Sequence, residues 1–190
     1  MAKRMIYRTG VLVGIIVIVL ACAGVWSGFY NVGADVPHWS VTYHVLAVAR
    51  ERSIEHHAQS ITVPNLDDPS LILKGAGQYA AMCTECHLAP GMQDSELRKG
   101  LYPKPPVLYQ APIDPREAFW TIKHGVKLTA MPAWGATHDD DTIWSMVAFL
   151  QKLNGMTPAQ YKEIVAKAPP DEDMDMGNDK GSMQDNMKPH

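Results

Sequence analysis

The sequence has 190 residues, 19% of them charged, and a formal net charge of −3 at pH 7. This length allows one globular domain with extensions. The charge balance speaks against a nucleic-acid-binding protein, which needs a basic patch or stripe, so no nucleic-acid partner is expected. Charge is also unevenly placed: the first eight residues include three basic and no acidic residues, whereas residues 171–190 carry six acidic residues against two lysines.

The N-terminal segment predicts a membrane anchor over residues 1–34. No charged residue occurs between Thr9 and Ala34, and residues 11–25 are nearly all small or aliphatic. A spanning helix needs about 20 such residues, and Trp26, Phe29 and Tyr30 then supply an aromatic belt at the far interface. Because the basic residues come first, the remainder of the chain is expected outside a bacterial inner membrane, in the periplasm.

Two other interpretations of this segment remain open. Ala21 and Ala23 flank Cys22 in a pattern that resembles the cleavage site of a signal peptide. Cys22 could alternatively be a lipidation site. Both alternatives, like the anchor, place the main domain outside the cytoplasm.

A juxtamembrane helix and linker are predicted over residues 35–67. Asp35 and Pro37 are typical of a cap and an early helical position, and the helix is expected to reach about His57. The histidines of this segment are interpreted as polar residues on a wet face and not as metal ligands. They are His38, His44, His56 and His57.

Four further helices are predicted, each beginning at a capping aspartate or threonine. These starts are Asp68–Pro69, Asp114–Pro115, the Thr137–Asp139 segment and Thr157–Pro158. The first helix is expected to run towards Cys83, and the second to end at Gly125. The third shows an apolar stripe at helical spacing and stops at Asn154–Gly155. The stripe consists of Ile143, Met146, Val147, Leu150 and Leu153.

The predicted fold is all-α, because no segment shows convincing strand alternation. Residues 68–155 form the expected domain, with a proline-rich irregular stretch over 100–112 and a short helix over 156–168. The acidic tail, residues 169–190, is expected to be disordered. Its methionines and terminal histidine leave copper binding open, since thioethers favour Cu(I). They are Met174, Met176, Met183, Met187 and His190.

The segment Cys83-Thr84-Glu85-Cys86-His87 fits the attachment pattern of a c-type haem. Two cysteines three residues apart lie on one helical face, where they can form thioethers with the two haem vinyl groups. His87 is then placed to reach the iron. A structural zinc site would need a second ligand pair, and a redox dithiol usually accompanies a βαβ pattern, so one covalent haem is predicted.

Met131 is the predicted second axial ligand. Iron in an electron carrier normally takes a sixth ligand, and methionine raises its potential. Met131 falls between two predicted helices and is followed by Pro132, which stiffens the backbone. Other methionines, His124 or an open site remain alternatives. The nearest competing methionines are Met82, Met92 and Met146.

With these motifs the chain resembles the class I cytochromes c over roughly residues 69–153. Gly75, Tyr79 and Cys83 recur every four residues on the first helix, as in that family. There the glycine and the aromatic residue pack against an aromatic-bearing C-terminal helix, which Trp144–Leu150 matches here, with Phe149 the expected partner. The Met-Pro segment is the third point of resemblance.

The resemblance also implies a proline carbonyl that orients the haem histidine through its second ring nitrogen. Pro90 is the expected residue, with Pro105 or Pro106 as alternatives. The irregular loop from Leu101 to Pro112 is expected to shield one haem edge. Aromatic residues are expected to wall the haem: Trp120, Trp134, Tyr102 and Tyr109.

The predicted function is electron transfer by a single His/Met-ligated haem c between membrane-associated respiratory partners. The donor would be a quinol-oxidising complex or a dehydrogenase, and the acceptor a terminal oxidase or reductase. The protein is thus expected to be an electron carrier, or the electron-transfer subunit of an oxidoreductase complex, and not itself an enzyme. The alternatives are a haem enzyme or sensor with an open distal site, or a copper-handling protein that uses the tail.

Overall fold

The computed structural model describes residues 2–169, and within that range every regular element is helical. The predicted all-α fold is therefore confirmed. The described chain divides into two compact units, with the boundary between Pro37 and His38. The predictions of a disordered tail and of tail copper binding fall on residues beyond 169, outside the described part of the chain.

The first unit contains helix α1, Ala2–Trp26. Residues Lys3–Trp26 are long and apolar enough to cross a membrane, which is compatible with an anchor and equally with a signal sequence. Cys22 lies within this helix as a free cysteine.

The second unit contains the remaining helices. They are α2 (Ser40–Ala58), α3 (Pro69–Met82), α4 (Thr84–His87), α5 (Glu96–Lys99), α6 (Pro115–His124), α7 (Asp140–Leu153) and α8 (Pro158–Lys167), with a 3₁₀ turn at Trp134–Ala136. The stretch 100–112 contains no helix, as its prolines predicted.

Side-chain caps fix the starts of α3, α6, α7 and α8 where the sequence predicted them. Asp68 accepts a hydrogen bond from the Ser70 amide at 2.8 Å, and Asp139 accepts one from Thr142 at the same distance. Thr157 and Gln160 form a reciprocal capping box. These caps satisfy amide groups that the first helical turn leaves without partners, so the helix starts are defined locally.

The start predicted for α2 at Asp35 and Pro37 is wrong, because α2 begins only at Ser40 and its N-cap makes no side-chain hydrogen bond. Asp35 lies in a turn instead, in which the Val36 amide donates to the Gly33 carbonyl. The His38 amide donates to the Tyr102 hydroxyl oxygen at 3.2 Å, a contact 64 residues away that ties this segment to the proline-rich loop.

The core is built where α3 crosses α7. Gly75 allows this crossing, because a Cβ atom there would lie 1.9 Å from the Ser145 carbonyl oxygen. Tyr79, one turn further along α3, packs against Phe149 with ring centroids 5.5 Å apart. The helix pairing implied by the family resemblance, including the Tyr79–Phe149 contact, is thus confirmed.

The apolar stripe of α7 supplies most of this core. All five predicted stripe residues are buried: Ile143, Met146, Val147, Leu150 and Leu153. The helix α6 packs on α7 through Phe119, whose ring stacks on Trp144 at 4.1 Å. Behind α6 lies α2, where the His57 ring contacts Trp120 at 5.4 Å. The C-terminal end of α3, at Cys83, carries the candidate site.

Candidate haem site

The two cysteines and the histidine of the attachment motif lie on one continuous turn. Cys83 ends α3 with its amide bonded to the Tyr79 carbonyl. Its own carbonyl then accepts from the amides of Cys86 at 3.2 Å and His87 at 2.8 Å. Cys83 and Cys86 are both free cysteines. Two thiols and an imidazole are therefore presented together by the junction of α3 and α4.

The thiols do not have the properties of a reactive dithiol. Burial, reinforced by the nearby Cys86, raises the pKa of Cys83 to about 12. The pKa of Cys86 is also raised, by burial and then by the charge of Glu85. A redox dithiol needs a stabilised thiolate, hence a lowered pKa. No group of three or more His, Cys, Asp and Glu able to hold a metal ion occurs within the described range.

His87 is oriented by a hydrogen bond to the backbone. Its Nδ1 lies 2.8 Å from the Pro106 carbonyl oxygen. Because a carbonyl can only accept, Nδ1 carries the proton and Nε2 keeps a free lone pair. Burial, opposed by the Pro106 hydrogen bond and assisted by the charge of Arg98, lowers the pKa of His87. The imidazole is therefore neutral at pH 7, the form that binds iron.

The expected orienting carbonyl was that of Pro90, and this assignment is wrong. Pro90 is buried three residues after His87, whereas the bonded carbonyl belongs to Pro106, 19 residues away. Pro106 was one of the two alternatives, with Pro105, that sequence reasoning left open. The contact is long-range and runs through an irregular loop, so no local spacing rule identifies it.

Tyr79 links the helical core to the attachment turn. Its buried hydroxyl donates to the Leu88 carbonyl at 2.6 Å. Leu88 directly follows His87 and has a φ of +61°, a conformation that is rare outside glycine. Burial, followed by the charges of Cys83 and Tyr161, raises the Tyr79 pKa, so the hydroxyl remains a donor. Tyr79 thus holds the strained exit from α4 in place.

We expect Tyr79→Phe to lower the free energy of unfolding by about 1–3 kcal/mol, because the buried Leu88 carbonyl loses its donor. Tyr161→Phe is the matched control. The Tyr161 ring packs against the Tyr79 ring, and the Tyr161 hydroxyl is buried without a hydrogen-bond partner among residues 2–169. Its loss should be nearly neutral. Urea unfolding of both variants in detergent measures the difference, and equal losses would contradict this role of Tyr79.

The Met131 segment folds back against the end of α6. Gly125 ends that helix with a φ of +65°, and a Cβ there would lie 2.8 Å from the Met131 carbonyl oxygen. The Val126 amide donates to that same oxygen at 3.1 Å, and the Met131 amide donates to the Thr129 hydroxyl. The loop is closed by its own backbone. Met131 is half-buried against the same apolar cluster that includes Cys83.

The alternative ligands have different surroundings. Met146 is fully buried within α7, in the packing role expected of it. Met82 and Met92 are half-buried against the same apolar cluster as Met131. His124 is exposed, with its ring 5.0 Å from that of Trp120.

The expected aromatic wall falls into two groups. Trp134 and Tyr109 pack against the apolar cluster that contains Cys83 and Met131. Trp120 makes ring contacts with His57 and His124, and Tyr102 with His38 at 5.1 Å.

The residues present fit a haem c group. Two free thiols and an oriented imidazole are the groups that covalent attachment and iron ligation would use. Arg98 adds an observation that sequence reasoning missed: its Nε is buried and has no hydrogen-bond partner within the described residues. Haem carries carboxylates, which are negatively charged hydrogen-bond acceptors and would suit a buried guanidinium.

Comparison with known proteins agrees with this geometry. Residues 70–150 match the family model described as cytochrome c oxidase, cbb3-type, subunit III. No curated protein and no solved structure matches the chain. The match begins in α3 and ends in α7, so it covers the attachment motif, the Met131 segment and the crossing helices. It confirms the predicted class I c-type cytochrome domain, and the function of such a domain is haem-based electron transfer.

Proposed function

We propose that this chain, whose residues 70–150 form a class I c-type cytochrome domain, carries electrons through one covalently attached haem ligated by His87 and Met131. Thioethers from Cys83 and Cys86 would hold the group at the end of α3. When bound, the haem supplies the Fe(III)/Fe(II) couple.

The observation that carries this proposal is the His87–Pro106 hydrogen bond beside two free cysteines. The bond fixes the tautomer and ring orientation of a ligand whose remaining nitrogen is free. Tyr79 fixes the backbone immediately after it. His87 is therefore preorganised, and little rearrangement of the protein accompanies a change of iron charge.

Met131 is the ligand that the loop closure favours. Two backbone contacts hold the residue, one from Val126 to its carbonyl and one from its amide to Thr129. A thioether opposite an imidazole raises the reduction potential. A positive potential suits an electron carrier that accepts from a quinol-oxidising complex or a dehydrogenase.

We further infer that α1 anchors the chain in the inner membrane with the haem domain in the periplasm. The support is the apolar length of α1 and the basic residues that precede its apolar part. Tethering would confine the search for partners to the membrane plane and raise their effective concentration. The family description names an oxidase subunit, which supports a terminal oxidase as acceptor and a place within such a complex.

The optical spectrum of the full chain purified in detergent tests this proposal. We expect haem that stays with the chain after acid–acetone extraction, one per chain. We also expect the weak near-infrared band of methionine bound to ferric haem, and slow binding of carbon monoxide by the reduced protein. Extractable haem would contradict covalent attachment. Immediate carbon monoxide binding would favour an open distal site, and with it a haem enzyme or sensor.

A further inference from the structure

Arg98 is the most deeply buried ion-paired cation of the haem domain, within the described residues. Its side chain is 10% exposed, against 47% for Arg116, which also pairs with an aspartate. Burying a guanidinium is costly unless its donors are paired, so such a residue needs a structural or functional reason. The partners of Arg98 supply one.

The guanidinium joins Asp94 to the proline-rich stretch at Pro105. Nη1 donates to Asp94 at 2.7 Å, and Nη2 donates to the Pro105 carbonyl at 2.8 Å. The next carbonyl, that of Pro106, accepts from His87. The fork of Arg98 thus fixes the peptide immediately before the one that orients the haem histidine.

The segment that carries Arg98 is also bonded to the attachment motif. The Ser95 hydroxyl donates to the Glu85 carbonyl, between the two cysteines, and accepts from the Arg98 amide. Lys104, beside Pro105, forms a second ion pair with Asp94 at 2.6 Å. Residues 94–98 therefore bridge the turn that presents His87 and the loop that presents its acceptor.

We propose that Arg98, anchored on Asp94, is a positioning residue for the proximal haem ligand. It holds the Pro105–Pro106 backbone so that the Pro106 carbonyl accepts from His87 Nδ1, and it thereby tunes the reduction potential. This inference rests on the proposed ligation by His87. A strong acceptor at Nδ1 makes the imidazole a better donor to ferric iron, so a looser Pro106 carbonyl raises the potential.

Arg98→Lys tests the fork while keeping the charge. Lysine cannot donate to Asp94 and Pro105 in the same planar geometry. We expect the equilibrium constant for reduction to rise about tenfold, which is about 59 mV for one electron. We also expect the His87 Nδ1 proton to exchange with solvent at least tenfold faster, measured by NMR of the reduced holoprotein.

Two further variants keep the test decisive. Asp94→Asn removes the charged anchor but leaves Arg98 in place, and should shift both readouts in the same direction by a smaller factor. The Asp94→Asn variant provides the test if Arg98→Lys does not fold. Arg116→Lys is the matched control, because it alters an exposed arginine–aspartate pair at the start of α6, and should move neither readout.

The outcomes separate this inference from the proposed function. Wild-type protein without covalent haem would overturn both. Wild-type protein with the expected haem spectrum, together with an unchanged potential and proton exchange in Arg98→Lys and Asp94→Asn, would overturn only the role of Arg98. A rise of the potential in both variants but not in Arg116→Lys supports it.

Discussion

Met131→Ala is expected to abolish the near-infrared band of the ferric protein and to lower the reduction potential by on the order of 0.1 V or more, within the range that axial ligands span. The physical reason is the loss of a thioether that favours ferrous iron. The reduced variant should also bind carbon monoxide at once, because its sixth position is open. Redox titration and optical spectroscopy measure all three effects.

Met92→Leu and Met82→Leu are the matched controls for Met131→Ala. Both residues are half-buried against the same apolar cluster, and leucine conserves most of their volume, so the cost should stay below about 1.5 kcal/mol. Both variants should keep the band. A band that survives in Met131→Ala but disappears in Met92→Leu would transfer the ligand role to Met92.

Gly75→Ala should destabilise the domain by about 3 kcal/mol or more, at or above the upper end of the usual cost of overpacking a core. The added Cβ would lie 1.9 Å from the Ser145 carbonyl oxygen and 2.4 Å from its carbon. These are backbone atoms of a buried helix, so no side-chain rotation relieves the overlap. The helices α3 and α7 must separate, and Tyr79 then loses its contact with Phe149. Urea unfolding in detergent measures the loss.

Gly77→Ala separates this clash from the general effect of alanine in α3. Its Cβ would lie 3.1 Å from the Ala168 methyl carbon and 3.5 Å, an ordinary van der Waals distance, from the Pro169 carbonyl oxygen. Alanine in a helix is favoured over glycine by about 1 kcal/mol, which offsets part of that tight contact. We therefore expect a change within about 1 kcal/mol. Equal unfolding midpoints for the two variants would show that the α3–α7 crossing does not depend on Gly75.

Local features of the fold could be predicted because their causes lie within a few residues. The side chains of Asp68, Asp139 and Thr157 each cap a helix by accepting a hydrogen bond from an amide two or three residues further along the chain. The start of α2 could not be predicted in this way. There the His38 amide is bonded to Tyr102, a contact that only the folded chain creates.

The candidate site divides along the same line. The spacing of Cys83, Cys86 and His87 matches one helical turn, so the sequence alone predicts the attachment turn. The acceptor for His87 lies in a proline-rich loop that has prolines at 103, 105 and 106. The sequence does not indicate which of these carbonyls faces the histidine. The role of Arg98 could not be predicted either, because an arginine in a charged segment is expected to be solvent-exposed and its partner Pro105 lies in the same loop.

The closed backbone of the Met131 loop offers a route for engineering. Gly125 and the Val126–Met131 hydrogen bond fix its two ends, while three residues between them are exposed: Lys127, Leu128 and Ala130. These positions can be exchanged as a cassette of constant length, whereas an insertion or deletion displaces the sulfur. Exchanges at these exposed positions would change the surface of the loop while the backbone contacts of Met131 stay in place, so partner recognition could be redesigned without moving the iron ligand that we propose.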